Sequence, residues 1–99
     1  MNLLSISLAA LALAASARAD LTPPEQQTYQ SLPQESQRAY LDTRNFVHIA
    51  EQVVSGKIAP LSLPDEPKDF DSSLVTAKEK ALIDKAFNLK INAMLASLP

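Results

Sequence analysis

The sequence predicts an all-α fold: a small helical domain of two long amphipathic helices and a short N-terminal helix. Two observations favour it. Gly56 is the only glycine among 99 residues, and both tight β-hairpin turns and phosphate-binding loops depend on glycine. In addition, apolar residues recur every three or four positions over residues 33–55 and 73–97, which is the period of a helix with one buried face.

The first 19 residues have the features of a cleavable export signal. Leu3 to Ala15 forms a run of 13 residues that is apolar except for Ser5 and Ser7, whereas a membrane-spanning helix needs about 20. Ala17 and Ala19 then give the small-x-small pattern that signal peptidase recognises. No Lys or Arg precedes the apolar run, which departs from the usual signal pattern. We expect residues 1–19 to be a signal peptide and 20–99 to be the exported domain; an N-terminal helix that is retained is the alternative.

The composition of the exported domain excludes several classes of function. The chain carries nine Lys and Arg against eleven Asp and Glu, and loss of Arg18 with the signal leaves a net charge of −3 with His48 neutral. We therefore expect no nucleic-acid partner. The chain has no cysteine, so disulfides and lipid attachment at cysteine are ruled out. Because a domain of this size buries only about 60–65% of its unfolded surface, association is a reasonable expectation.

The first half of the domain predicts two helices. A short one is expected over residues 24–30, after a polar start that contains two prolines. Residues 31–34 read Ser-Leu-Pro-Gln, the pattern of a capping box with proline in the first turn. A long helix is therefore expected from about Pro33 to Ser55, with Gly56 as its left-handed stop. Winding that helix places His48 at the centre of the polar face, one turn from Arg44.

A long connection and a second long helix complete the predicted fold. Residues 57–71 contain three prolines, and their apolar side chains predict an ordered segment that packs on the helices. The last helix is expected to begin near Ser72 or Ser73 and to end at about Ser97. Thr76 and Glu79 offer a second possible capping box within it. The sequence leaves open whether the long helices run parallel or antiparallel.

The apolar arc of the last helix is wider than packing against one partner helix requires. Either the proline-rich connection or another molecule must cover the remainder. The residues expected to bind a partner, whether another protein or a second copy of the chain, are Phe87, Ile91, Met94, Leu95 and Leu98. We expect no stable membrane span in the exported chain.

The sequence gives no signature of catalysis or of a bound metal or cofactor. His48 is the only histidine, whereas a zinc site needs three or four ligands. A catalytic triad needs a histidine held by a buried carboxylate, and His48 is expected to face solvent. An acidic cluster at Asp65, Glu66, Asp69 and Asp71 lacks the glycine hinge of a calcium loop, so helix capping and solubility explain it better.

These observations favour an exported, non-enzymatic interaction protein of the periplasm or extracellular space. The alternative is a secreted membrane-active or effector peptide that acts through the amphipathic helix at residues 78–98. The lysines and the wide apolar arc of that helix favour the alternative. However, surface-bound helices usually carry a richer basic face and interfacial tryptophan, and the chain has no tryptophan.

Overall fold

A computed structural model describes residues 20–99, and the predicted signal peptide lies outside the described residues. Over this range the chain forms three α-helices and no strand, which confirms the all-α prediction. The helices are α1 (Pro23–Ser31), α2 (Gln34–Val54) and α3 (Ala77–Ala96). Two single turns of 3-10 helix, Pro60–Ser62 and Ser72–Leu74, lie in the connection between α2 and α3.

Helix α1 begins at a capping box that the sequence analysis did not identify. Thr22 is the N-cap, and its hydroxyl accepts a hydrogen bond from the backbone N–H of Glu25. In return, the Glu25 carboxylate accepts from the backbone N–H of Thr22 at 2.9 Å. No residue of α1 is buried, so packing alone holds this helix weakly to the rest of the domain.

The predicted capping box at Ser31 is wrong, although the start of the long helix is close to the prediction. Pro33 is the N-cap of α2 and makes no side-chain cap bond. Ser31 instead ends α1, and its hydroxyl donates to the carbonyl of Thr28 at 2.8 Å. Both helices therefore share the short corner at Leu32 and Pro33, where proline stops one helix and opens the next.

The glycine stop at the end of α2 is confirmed. Gly56 has φ of 84°, a left-handed conformation that costs residues with a side chain about 1–2 kcal/mol. Beyond it, the backbone N–H groups of Lys57 and Ile58 both donate to the carbonyl of Gln52. These bonds give the Gln52 carbonyl, in the last turn of α2, its hydrogen-bond partners, and the chain reverses direction there.

The connection is ordered, as predicted, and supplies part of the core. Leu63 is only 1% exposed, and the ring of Phe70 meets Phe46 edge to face, with centroids 5.9 Å apart. At the end of the connection, the backbone N–H of Asp71 donates to the buried hydroxyl of Thr43 at 2.9 Å. The connection therefore returns alongside α2, from the end of that helix to a point near its middle.

Helix α3 begins at Ala77, about one turn later than the sequence predicted. Asp71 caps the 3-10 turn at Ser72–Leu74, and Thr76 caps α3 through the capping box with Glu79. Asp71, which the sequence placed at the start of the helix, therefore caps the turn before it. The core lies between α2, the connection and the first half of α3, and its fully buried apolar residues are Phe46, Val47, Ile49, Ala50, Val53, Leu63, Ile83 and Ala86.

Candidate functional site

The last two turns of α3 and the residues just after them expose a group of large apolar side chains. Four of the five residues predicted to bind a partner are at least half exposed: Ile91 at 50%, Met94 at 51%, Leu95 at 61% and Leu98 at 66%. We call these four residues the terminal patch. The fifth, Phe87, is partly buried and packs against Phe46, with ring centroids 5.9 Å apart. It therefore marks the inner end of the surface.

The terminal patch is exposed because the core stops short of the end of α3. Ile83 and Ala86 are the buried residues of this helix. One turn further on, Lys90 donates to the carbonyl of Leu63 at 2.5 Å, so a polar contact closes the edge of the core. Beyond Lys90 the residues up to Leu98 carry no charge. The connection therefore covers only part of the wide apolar arc, and the other part remains open to solvent.

A second feature, a cluster of charged side chains, joins all three helices at Arg44. The Nε of Arg44 donates to Glu25 of α1 at 2.7 Å. Its two terminal nitrogens donate to the carboxylate of Glu79 of α3 at 2.8 and 2.7 Å, and one of them also donates to the carbonyl of Leu74 at 3.0 Å. We call this group, with His48 and Glu51, the Arg44 cluster.

Both glutamates that bind Arg44 are also capping-box residues. Glu25 accepts from the backbone of Thr22, and Glu79 accepts from the backbone of Thr76 at 3.0 Å. The N-termini of α1 and α3 thus meet at one guanidinium through equivalent Thr-x-x-Glu segments. Only the second of these segments was recognised from the sequence, and their pairing at Arg44 was missed. Two such segments in one short chain, with one arginine on the polar face between them, are the signal that could have found it.

His48 is half-buried within this cluster, and its predicted exposure on the polar face is wrong. Its Nε2 lies 2.7 Å from a carboxylate oxygen of Glu25, and its Nδ1 lies 2.9 Å from Glu51. The prediction failed because it treated α2 as an isolated helix. In the folded chain, α1 lies over the polar face and leaves only 17% of the His48 side chain exposed.

The pKa values of the cluster follow from these contacts. Partial burial would raise the pKa of Glu25, but hydrogen bonds from Thr22, Arg44 and His48 lower it to about 2. The hydrogen bonds from Arg44 dominate at Glu79 and, against the effect of burial, lower its pKa to about 2. Burial would lower the pKa of His48, but the carboxylates of Glu25 and Glu51 raise it. Glu25, Glu79 and His48 are therefore all charged in mildly acidic solution, where each has a partner of opposite charge.

The contacts of the Arg44 cluster hold the helices together and leave no group free for catalysis. Both ring nitrogens of His48 contact carboxylates, and the guanidinium of Arg44 is shared between two glutamates and a carbonyl. A general base must be able to reach a proton on a substrate, and here the basic atoms are already engaged. Among residues 20–99, no group of three or more His, Asp or Glu side chains is arranged to hold a metal ion.

A cleft of about 370 Å³ lies between α1, α2 and the turn before α3. Its lining includes the apolar side chains of Leu32, Ala39 and Leu74 together with Glu35 and Asp71. Ligand pockets usually combine an apolar lining with a few polar groups that converge on the ligand. The acidic cluster of the connection contributes Asp71 here, but Asp71 is already bonded to Ser73. The cleft is a weaker candidate site than the terminal patch.

Comparison with known proteins gives no relative: no family model, curated protein or solved structure matches this chain. Within residues 20–99, no helix is long and apolar enough to span a membrane.

Proposed function

We propose that this chain is an exported, non-enzymatic interaction protein that binds another protein chain through the terminal patch. The observation that carries the proposal is the exposure of four large apolar side chains, three on the last two turns of α3 and the fourth, Leu98, just beyond its end. Single exposed apolar residues are common, whereas a contiguous group marks an interaction surface. Leu61, which is 53% exposed, lies in the Pro60–Ser62 turn that packs against α3.

The Arg44 cluster supports the non-enzymatic part of the proposal. Strongly shifted pKa values often mark catalytic sites, but structural ion-pair networks also produce them. At Glu25, Glu79 and His48 the shifts arise from contacts that join helices and cap their N-termini. The contribution of these contacts to stability is enough to explain them, and no catalytic role is needed. Export to the periplasm or extracellular space rests on the apolar run and the Ala17-x-Ala19 pattern.

A site-specific photo-crosslinking experiment tests the proposal. A photoreactive amino acid replaces Leu95 in the terminal patch, and in a matched protein it replaces Asp84, which is exposed on the polar side of the same helix. Both proteins are expressed in the native host and irradiated in the intact cell or its medium. We expect discrete protein adducts from position 95 that are absent from position 84. Equal labelling at both positions, or no protein adduct at position 95, would contradict the proposal.

The membrane-active alternative has less support. Lys78, Lys80 and Lys85 are exposed on α3, which favours attraction to an anionic surface. However, these lysines lie before Phe87, and Lys90 is engaged with the connection. The terminal patch therefore has no basic face beside it. Binding of the wild-type protein to anionic vesicles that is lost in Met94→Gln would support this alternative.

A further inference from the structure

Polar contacts hold helix α1 against the rest of the domain. No residue of α1 is buried, so the hydrophobic effect contributes less to its position than it does for α2 or α3. Glu25 contacts both Arg44 and His48 at 2.7 Å, and Gln37 donates to the carbonyl of Tyr29 at 3.0 Å. A helix of nine residues is not stable alone in water. Loss of the contacts at Glu25 would therefore detach α1 and unwind it.

The two contacts of His48 require its protonated form. Its Nε2 lies 2.7 Å from an oxygen of Glu25, and its Nδ1 lies 2.9 Å from an oxygen of Glu51. An ionised carboxylate can only accept hydrogen bonds, and a neutral imidazole has a single N–H. Only the imidazolium can therefore donate to α1 through one nitrogen and to Glu51 through the other.

The balance of charge at the cluster also depends on this proton. Four side chains are largely covered, namely the carboxylates of Glu25 and Glu79 and the basic groups of Arg44 and His48. With His48 protonated, two cations face two carboxylates. Without that proton, Arg44 alone serves both carboxylates, and one negative charge is left unbalanced where water screens it poorly. Detachment of α1 moves Glu25 into water and removes this imbalance.

We infer that the protonation of His48 controls the docking of α1: the imidazolium holds α1 on α2, and loss of its proton loosens the helix. Opening of α1 uncovers Arg44 and removes Thr28 and its helix from one side of the cleft of about 370 Å³. The terminal patch lies on α3, so this inference is independent of the proposed function.

The direction of the pH dependence follows from the surroundings of His48. Burial would lower its pKa, but the carboxylates of Glu25 and Glu51 raise it. Docking is therefore strongest below the ordinary value of 6.5 and weakens as the pH rises through the raised pKa. The other charged residues around His48 are Arg44, on the same face of α2, and Asp20 and Lys57, which line a hollow beside the ring.

Hydrogen exchange at the backbone amides of α1 tests the inference, because detached α1 is unwound and its amides exchange with solvent. The purified exported protein is measured at pH 5 and pH 8, with rates corrected for the intrinsic effect of pH on exchange. A hydrogen bond from a charged donor is roughly twice as strong as one from a neutral donor. We therefore expect α1 to open about fivefold more often at pH 8. Its amides should exchange faster than those of Ile83 and Ala86 in α3 at both pH values.

His48→Gln is the matched control. Glutamine can still donate to Glu25, but it carries no charge at either pH. Asp20, Lys57 and the N-terminal amine are the same in both proteins, so their titration affects both equally. We expect exchange of the α1 amides in this variant to differ by less than about twofold between pH 5 and pH 8.

Two results would overturn the inference. An equal response to pH in the wild type and in His48→Gln would show that another group controls α1. Amides of α1 that exchange as slowly as those of Ile83 and Ala86 at both pH values would show that α1 does not open separately from the core.

Discussion

Replacement of Arg44 by methionine tests whether the Arg44 cluster holds the three helices together. Methionine keeps an unbranched stem in place of the arginine side chain but removes every hydrogen bond and the charge. The substitution leaves Glu25 and Glu79 facing each other's charge across a site where their side chains are 12% and 21% exposed. A carboxylate left without its cation in such a place strongly destabilises the folded state.

The pKa values of Glu25 and Glu79 set the expected loss of stability in Arg44→Met. Glu25 and Glu79 each titrate at about 2, against an ordinary value of 4.5, and each unit of such a difference corresponds to about 1.4 kcal/mol. Arg44 shares this stabilisation with Thr22, Thr76 and His48, so we expect Arg44→Met to lower the free energy of unfolding by about 2–4 kcal/mol. A domain of this length has only about 4–12 kcal/mol in total. The variant should therefore unfold at a much lower urea concentration.

Urea unfolding followed by circular dichroism measures the effect. Arg38→Met is the matched control, because Arg38 lies on the same helix and pairs with Asp42 at 3.1 Å, yet its side chain is 76% exposed. Such a pair contributes about 0.5 kcal/mol or less. If Arg44→Met lowers the free energy of unfolding no more than Arg38→Met does, the structural role of the cluster is refuted.

The pH dependence adds a second criterion for the same variant. Because the folded-state pKa values of Glu25 and Glu79 are depressed, their contribution to stability is fully present above about pH 4.5. It is lost as the pH falls toward 2, when both carboxylates take up protons. The difference between wild type and Arg44→Met should therefore be largest near neutral pH and should narrow below pH 4.5. A difference that stays constant down to pH 2 would show that the ion pairs are not its source.

Three further outcomes are expected. His48→Ala should destabilise the domain by about 1 kcal/mol at pH 5–6. This loss of stability should shrink as the pH rises through the raised pKa of His48. A difference from wild type in urea unfolding that does not change with pH would contradict this. Gly56→Ala should lower the free energy of unfolding, also measured in urea, by about 1 kcal/mol. The cost comes from the φ of 84° alone, because an added Cβ would touch nothing within 4 Å. An unchanged stability would argue against the left-handed stop. Intact mass of the exported protein should show cleavage between Ala19 and Asp20, and a retained Met1 would contradict the signal assignment.

Local patterns in the sequence predicted the helices and most of their boundaries. The periodicity of α2, the stop at Gly56 and the ordered connection were all correct, because spacing and glycine conformation act within a few residues. The start of α3 was placed too early, because Asp71 and the two serines after it have the composition of a helix N-terminus. In the structure they form a separate 3-10 turn, and the backbone of Asp71 is fixed by Thr43 of α2, a contact 28 positions away along the chain.

The sequence by itself determined the class of fold, the apolar faces of the helices and the unusually wide arc of α3. Only the tertiary structure decided how far the connection covers that arc, and therefore that Phe87 is packed while Met94 and Leu98 are exposed. It also decided that Arg44 and His48, on the polar face of α2, are largely covered and contact carboxylates of the other helices. The physical reason is that periodicity identifies which side chains avoid water, whereas the partner of a charged side chain depends on segments that only the folded chain brings together.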